Sequence, residues 1–125
     1  MESGNRNGCS LKRGDGPQIN FHGTTMTMKV VGEQTDGAYS LIEMLHPPDV
    51  GPALHIHPRG AEAFYVLDGS YTIRSGDQVH TATSGDFVFI PKGVPHSYQS
   101  GHRVARYWSF RPLDWSSIFL RLPRC

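Results

Sequence analysis

From Thr24 onward the chain is written in short runs in which apolar and polar positions alternate, each closed by glycine, proline or a polar turn. EAFYVL, SYTIR and DFVFI place every second side chain on one face of an extended segment, the period-two pattern of a half-buried strand. The runs are Thr24 to Val31, Tyr39 to Leu45, Ala53 to His57, Glu62 to Leu67, Ser70 to Arg74, Gln78 to Thr81, Asp86 to Ile90, His96 to Gln99 and Val104 to Phe110. Many short strands joined by turns predict an all-β sandwich or barrel. Asp68-Gly69 and Ser75-Gly76-Asp77 supply the positive-φ residues of tight hairpins, so Glu62 to Thr81 is expected to form three successive antiparallel strands.

A helical period comes only at the end. In PLDWSSIFLRLP, Asp114 offers an N-cap, and Trp115, Ile118, Phe119 and Leu122 follow at helix-like spacing before Pro123. This predicts one short C-terminal helix covering an end or face of the sandwich. Residues 1–17 are rich in Gly, Asn, Ser and charge, have almost nothing to bury, and are read as a flexible leader. Residues 18–125 are expected to form a single domain.

Composition narrows the partners. Twelve Lys and Arg against eleven Asp and Glu leave a formal charge of +1, so no strong field draws nucleic acid or a membrane surface, and a small molecule is the expected partner. No helix-turn-helix pattern accompanies the strands. The N-terminus has no apolar h-region, and no run nears the ~18 apolar residues of a membrane span. A soluble, cytoplasmic protein is expected. Cys9 and Cys125 lie in the two tails, which is not a disulfide framework, and free thiols are expected.

The histidines change this picture. Of the chain's seven, two stand in HIHPRGAE, residues 55–62. On a strand His55 and His57 point to one face and Ile56 to the other. Pro58-Arg59-Gly60 breaks the strand, after which Glu62, Phe64 and Val66 share a face and Glu62 can reach back toward both imidazoles. Two neutral imidazoles and a carboxylate are an ordinary donor set for Fe(II), Mn, Ni or Zn, with a fourth ligand expected elsewhere. GDFVFIPKGVPH offers one: a strand, the Pro91-Lys92-Gly93 turn, then Pro95 setting the approach to His96. His22, His46, His80 and His102 are read as ordinary surface or partly buried histidines. His46 stands apart because it ends a strand before Pro47-Pro48 and can line a pocket rim.

These residues carry a resemblance. From about Lys29 to Phe110 the chain resembles a single-domain cupin of the small quercetin-dioxygenase-like type. The first cupin motif, G-x5-H-x-H-x3-4-E-x6-G, is matched by His55, His57, Glu62 and Gly69; the second, G-x5-P-x-G-x2-H-x3-N, by Gly85, Pro91, Gly93 and His96. TDGAYSLIEMLHPP and AEAFYVLDG are similar to that type's usual wording. Three residues separate Gly51 from His55 where the pattern has five, and Ser100 stands where the second motif has Asn. Neither position is a metal ligand in the family, so these departures bear on loop conformation and pocket shape.

The resemblance implies a jelly-roll β-sandwich holding a divalent metal (Fe, Mn, Ni, Zn or Cu) through His55, His57, Glu62 and His96, with one or two positions open for water, substrate or O2. Its expected lining is Phe64 and Val66, Val88 and Ile90 or their alternates, Met44 or Leu45, and Tyr107 or Trp108, which favours a flat or apolar organic substrate. Lys92 is read as a solvated turn residue. The activity implied first is that of a dioxygenase-type enzyme on a small phenolic or enolic substrate, with Glu62 as catalytic base. The alternatives are a non-redox cyclase, isomerase or lyase acting through the metal as Lewis acid, and a small-molecule-binding cupin without turnover. A homodimer is expected, with the Thr24-Met26-Met28 and Tyr65-Leu67 faces as candidate surfaces.

Overall fold

The computed structural model describes residues 7–56 and 60–111. The strands are β1 (Gln18–Phe21), β2 (Thr24–Val30), β3 (Ser40–His46), β4 (Glu62–Asp68), β5 (Ser70–Ser75), β6 (Gln78–Thr83), β7 (Phe87–Ile90), β8 (His96–Ser100) and β9 (Ala105–Arg111), with a short 3-10 turn at Gly32–Thr35. All pairings are antiparallel. Six strands form one sheet in the order β1-β2-β3-β9-β4-β7 and three form a second in the order β6-β5-β8. One core lies between them, with Ile42, Phe64 and Val66 from the first sheet and Tyr71, Ile73 and Ala82 from the second. This is the expected all-β sandwich.

Alternation decides which face each strand buries. In β4, Glu62, Phe64 and Val66 are buried while Tyr65 between them is exposed. In β9, Ala105, Tyr107 and Ser109 point inward. Each fully buried large apolar side chain contributes about 1.5–3 kcal/mol relative to exposure, so a one-residue slip of either strand would forfeit several such terms.

The expected meander from Glu62 to Thr81 is only half present. β5 and β6 pair through the Gly76-Asp77 loop, with Ser75 opposite Gln78. β4, however, pairs with β7 and β9 rather than with β5. Asp68-Gly69 is a corner between the sheets. Gly69 has φ +74, and a Cβ on it would lie 2.7 Å from the Val104 carbonyl oxygen and 2.8 Å from Ala105 Cα, so the corner closes directly on the entry to β9. A positive-φ dipeptide serves a hairpin or a corner equally well, and only the far partner tells them apart.

Three further differences follow. The expected strand Ala53 to His57 is reduced, within the described residues, to an isolated bridge between His55 and His96. β1 has no counterpart among the sequence-based strands; its hairpin to β2 turns at His22-Gly23, both with positive φ (51 and 84), a polar-residue-plus-glycine signal of the Asn-Gly kind. Within the segment read as a leader, the Pro17 carbonyl accepts from Met28 N–H at 2.8 Å, and Arg13 pairs with Asp68 at 2.8 Å. Cys9 is disulfide-bonded rather than a free thiol; Cys125 and the predicted helix Asp114 to Leu122 lie outside the described residues.

Of the two surfaces proposed for pairing, Met28 is buried and Met26 faces the interior, so the Thr24-Met26-Met28 face is not an outer surface. Tyr65 does face outward, on the sheet that also exposes Phe87, Phe89 and Phe110. No helix among the described residues is long and apolar enough to cross a membrane.

Candidate metal centre

His55, Glu62 and His96 converge from three parts of the chain. Each offers a ligand atom, and these atoms all lie within 4.8 Å of one another. The two histidines are locked by backbone: His55 N–H donates to the His96 carbonyl and His96 N–H to the His55 carbonyl, both at 2.8 Å. Their ring centroids lie 4.2 Å apart. Pro95 and the turn before it carry His96 into this bridge, as the sequence order of strand, rigid turn and histidine predicts.

Tautomers follow from the next hydrogen bonds. His55 Nδ1 lies 2.8 Å from the Ala53 carbonyl oxygen, and His96 Nδ1 lies 2.9 Å from that of Val94. A carbonyl only accepts, so each Nδ1 bears a proton, and in the neutral ring each Nε2 keeps its lone pair. Such outer hydrogen bonds are what aim an imidazole at a metal.

The carboxylate completes the argument. Glu62, at the first position of β4, is 3% exposed; its Oε2 accepts from the Ser109 hydroxyl at 3.0 Å, and its Oε1 lies 3.3 Å from His96 Nε2. With Nδ1 holding the imidazole proton, a neutral His96 turns a lone pair toward a carboxylate oxygen. Two acceptors at that distance need compensation, which either a second ring proton, giving an imidazolium–carboxylate pair, or a metal ion held by both groups supplies. Adjacent ligands bound at about 2.1 Å to one ion stand roughly 3.0 Å apart, close to the spacing here. The donor set, two imidazole nitrogens and a carboxylate oxygen, fits a borderline divalent metal. His57, the expected fourth ligand, lies outside the described residues.

The remaining histidines divide. His22 and His102 are exposed, His102 pairing with Asp49 at 3.0 Å, and His80 is half-buried on β6. None of these joins the metal-competent group among the described residues. His46 is buried, with a tyrosine hydroxyl against each ring nitrogen, and it lines the cavity at the site, as its strand-end place before Pro47-Pro48 allows. Lys92 is exposed on its turn.

The cavity, of about 910 Å³, is lined by two of the three candidate ligands, His55 and Glu62. Its wall is mainly apolar, including Met26, Met44, Leu54 and Ile56, with His46, His55, Glu62 and Tyr98 as the polar exceptions. Of the lining expected from sequence, Met44 is present. Phe64, Val66, Ile90 and Tyr107 are instead packed into the core at 0–1% exposure. The alternation that aims Glu62 inward also aims these residues inward, but farther along the strands, where the sheets close on each other.

Both motif departures have structural roles. The Ser100 hydroxyl accepts from Val50 N–H at 2.9 Å and lies 2.7 Å from the Pro47 and 3.1 Å from the Val50 carbonyl oxygens, pinning the loop that leads to His55. One serine, two of whose contacts share a single proton, does this where the family pattern has Asn. Gly51 sits where a Cβ would fall 1.7 Å from the Tyr98 carbonyl oxygen, so the shortened loop lies directly on β8. Ser109 was not legible as a site residue, although its polar side chain at an inward position of ARYWSF is the signal that marks it.

Known proteins resemble this chain to differing extents. The chain is 29% identical over 95 residues to quercetin 2,3-dioxygenase of Bacillus subtilis (strain 168), which covers 75% of this chain and 28% of that protein. It is 28% identical over 95 residues to germin-like protein 9-3 of Oryza sativa subsp. japonica, covering 71% and 44%. The chain thus spans less than half the length of the curated relatives it matches. Among solved structures, a predicted oxalate decarboxylase of Thermotoga maritima superposes with a TM-score of 0.71 at 22% identity, covering 81% of this chain and 95% of that one. KdgF of Halomonas sp. gives 0.70 at 14% identity, with 82% and 90% covered. At those identities the likeness is one of fold. The cupin-domain family model matches residues 41–108, more than half of the chain, and His55, Glu62 and His96 all fall within it; the chain belongs to the cupin family.

Proposed function

We propose that this cupin is a metal-dependent, dioxygenase-type enzyme of the quercetin-dioxygenase-like kind, acting on a small phenolic or enolic substrate. The observation that carries the reading is the apposition of His96 Nε2 and Glu62 Oε1 at 3.3 Å, with Glu62 and His55 on the wall of a mainly apolar cavity. Partial identity to a quercetin 2,3-dioxygenase supports it. A divalent redox-active metal held there supplies Lewis acidity and a route for electrons between substrate and O2. His57 completes the donor set in this reading.

The chain's own residues do the rest. Backbone carbonyls of Ala53 and Val94 orient the two imidazoles. Ser109 holds one oxygen of Glu62, which leaves the other to take the proton of a phenolic or enolic hydroxyl brought to the site. The apolar wall excludes water and packs a flat ring. Both atoms of O2 enter the product, so no separate reductant is consumed.

Metal analysis of protein purified without added metal, followed by oxygen-electrode traces with flavonols and 1,3-diketones, tests this. The expected result is about one iron, nickel, manganese or copper per chain and O2 uptake matched to substrate loss. Zinc alone, with no uptake across the panel by reloaded protein, overturns it in favour of non-redox cyclase, isomerase or lyase chemistry.

A further inference from the structure

The cavity has a second polar pole, away from the metal ligands. His46, the last residue of β3, is 2% exposed, with Nδ1 at 2.8 Å from Tyr71 Oη and Nε2 at 3.0 Å from Tyr98 Oη. Its ring stacks on Tyr107 and meets Tyr71 and Tyr98 edge-on. His46 and Tyr98 line the cavity, whereas Tyr71 lies behind them at 1% exposure.

Proton counting gives this chain a direction. Among the described residues, the hydrogen-bond partner of the Tyr71 hydroxyl is His46 Nδ1. If Nδ1 carried a proton, the phenol would receive it and keep its own O–H buried without an acceptor. Tyr71 therefore donates to Nδ1. Burial first, and then the neighbouring Tyr98, hold the Tyr71 phenol well above its ordinary value, so it keeps the proton it donates. An imidazole whose Nδ1 accepts has its proton on Nε2, and Nε2–H donates to Tyr98 Oη. A hydroxyl that receives a hydrogen bond becomes a stronger donor of its own.

Tyr98 stands two residues from His96 on β8, and the two share the inward face. Two strand residues advance about 6.6 Å, comparable to the width of one substituted aromatic ring. We infer that Tyr98 Oη is a substrate-contacting hydrogen-bond donor, with His46 and Tyr71 as the positioning residues that set its direction. The site then selects flat substrates that bear one oxygen for the metal and an acceptor oxygen across the ring. This inference rests on the proposed metal site.

The test uses nickel-loaded full-length protein, kept anaerobic, titrated calorimetrically with 4-nitrocatechol, which carries an acceptor opposite its chelating oxygens, and with 4-ethylcatechol, which does not. Nickel per chain is measured in parallel. Tyr98→Phe is expected to weaken 4-nitrocatechol about 5- to 10-fold, the size of one hydrogen bond, and 4-ethylcatechol less than about 2-fold, with nickel content unchanged. His46→Leu should act likewise, and His46→Gln should restore most of the loss because its amide offers both an acceptor and a donor. If His46→Leu does not fold, Tyr98→Phe decides alone. Equal weakening of both probes by Tyr98→Phe, or of neither, with nickel retained, overturns the inference while leaving the metal site intact. A wild-type chain that takes up no nickel overturns the metal site and the inference together.

Discussion

Among the described residues two glutamates are buried in this small sandwich, Glu43 at 1% and Glu62 at 3% exposure, and the partners seen around them differ in character. Glu43, on the outer side of β3, is met by Arg106 Nη1, by Lys29 Nζ at 3.1 Å, and by Gly14 N–H at 3.1 and 3.2 Å. Among the described residues, Glu62, on the inner side of β4, faces imidazoles and a hydroxyl. A buried carboxylate must be compensated. Around Glu43 the protein supplies the cations itself, and the result is a closed structural cluster. Around Glu62 the described residues supply two imidazoles and a hydroxyl, a donor set that could hold a metal ion. Burial of a charged residue therefore says nothing about its role until the charges around it are counted.

The contrast can be broken most forcefully at the closed cluster. Glu43→Ala leaves Lys29 and Arg106 facing each other without their carboxylate and is expected to cost about 3–5 kcal/mol in urea unfolding, with metal content per folded chain unchanged. An unfolding cost below about 1 kcal/mol would show that the cluster is not compensated as drawn. At the open set the roles reverse. His55→Ala, Glu62→Ala and His96→Ala should each lower metal affinity by more than about 100-fold, beyond the range of an outer hydrogen bond, and His57→Ala should join them, while His80→Ala should not. Equal metal occupancy in all these variants would remove the site.

A smaller effect sharpens the same comparison. Ser109→Ala removes only the hydrogen bond to Glu62 Oε2, so metal affinity should fall about 10- to 100-fold while the unfolding midpoint barely moves. The smallest expected effect is in acid. Burial pushes the Glu43 carboxyl up, but the Gly14 N–H, Arg106 and Lys29 outweigh it and hold the group below its ordinary 4.5. A depressed folded-state value means the stabilisation is present above 4.5 and is lost as pH falls through the folded value. Glu43→Gln should accordingly flatten the acid side of the stability-versus-pH curve below 4.5 relative to wild type. An unchanged slope there would show that another group carries the acid sensitivity.

The two clusters also differ in how far they could be read beforehand. His55 and Glu62 were legible as candidates because strand alternation and a short, turn-bounded spacing aim them at one another, and His96 because it follows a strand and a rigid turn in a segment that matches a family motif. Glu43 was not, since its partners come from residues 14, 29 and 106, and nothing local in SLIEMLH separates an inward from an outward glutamate. His46 was half legible: its place at a strand end before two prolines marked it, but the two tyrosines that fix its tautomer lie 25 and 52 residues away. The corner at Asp68-Gly69 failed for a related reason, because a local turn signal does not name the strand that follows it in space.

What the sequence determined by itself was therefore local: strand periodicity, the face of β4, the hairpin at Gly76-Asp77, and the candidate ligands His55 and Glu62, whose spacing is set by extended backbone and a short turn. Tertiary structure alone decided which sheet each strand joins, which inward residues line the cavity rather than fill the core, and which buried glutamate is neutralised by the protein. Those outcomes depend on contacts between residues far apart in the chain, where the energy lies in pairing and desolvation rather than in any segment's own conformational preference.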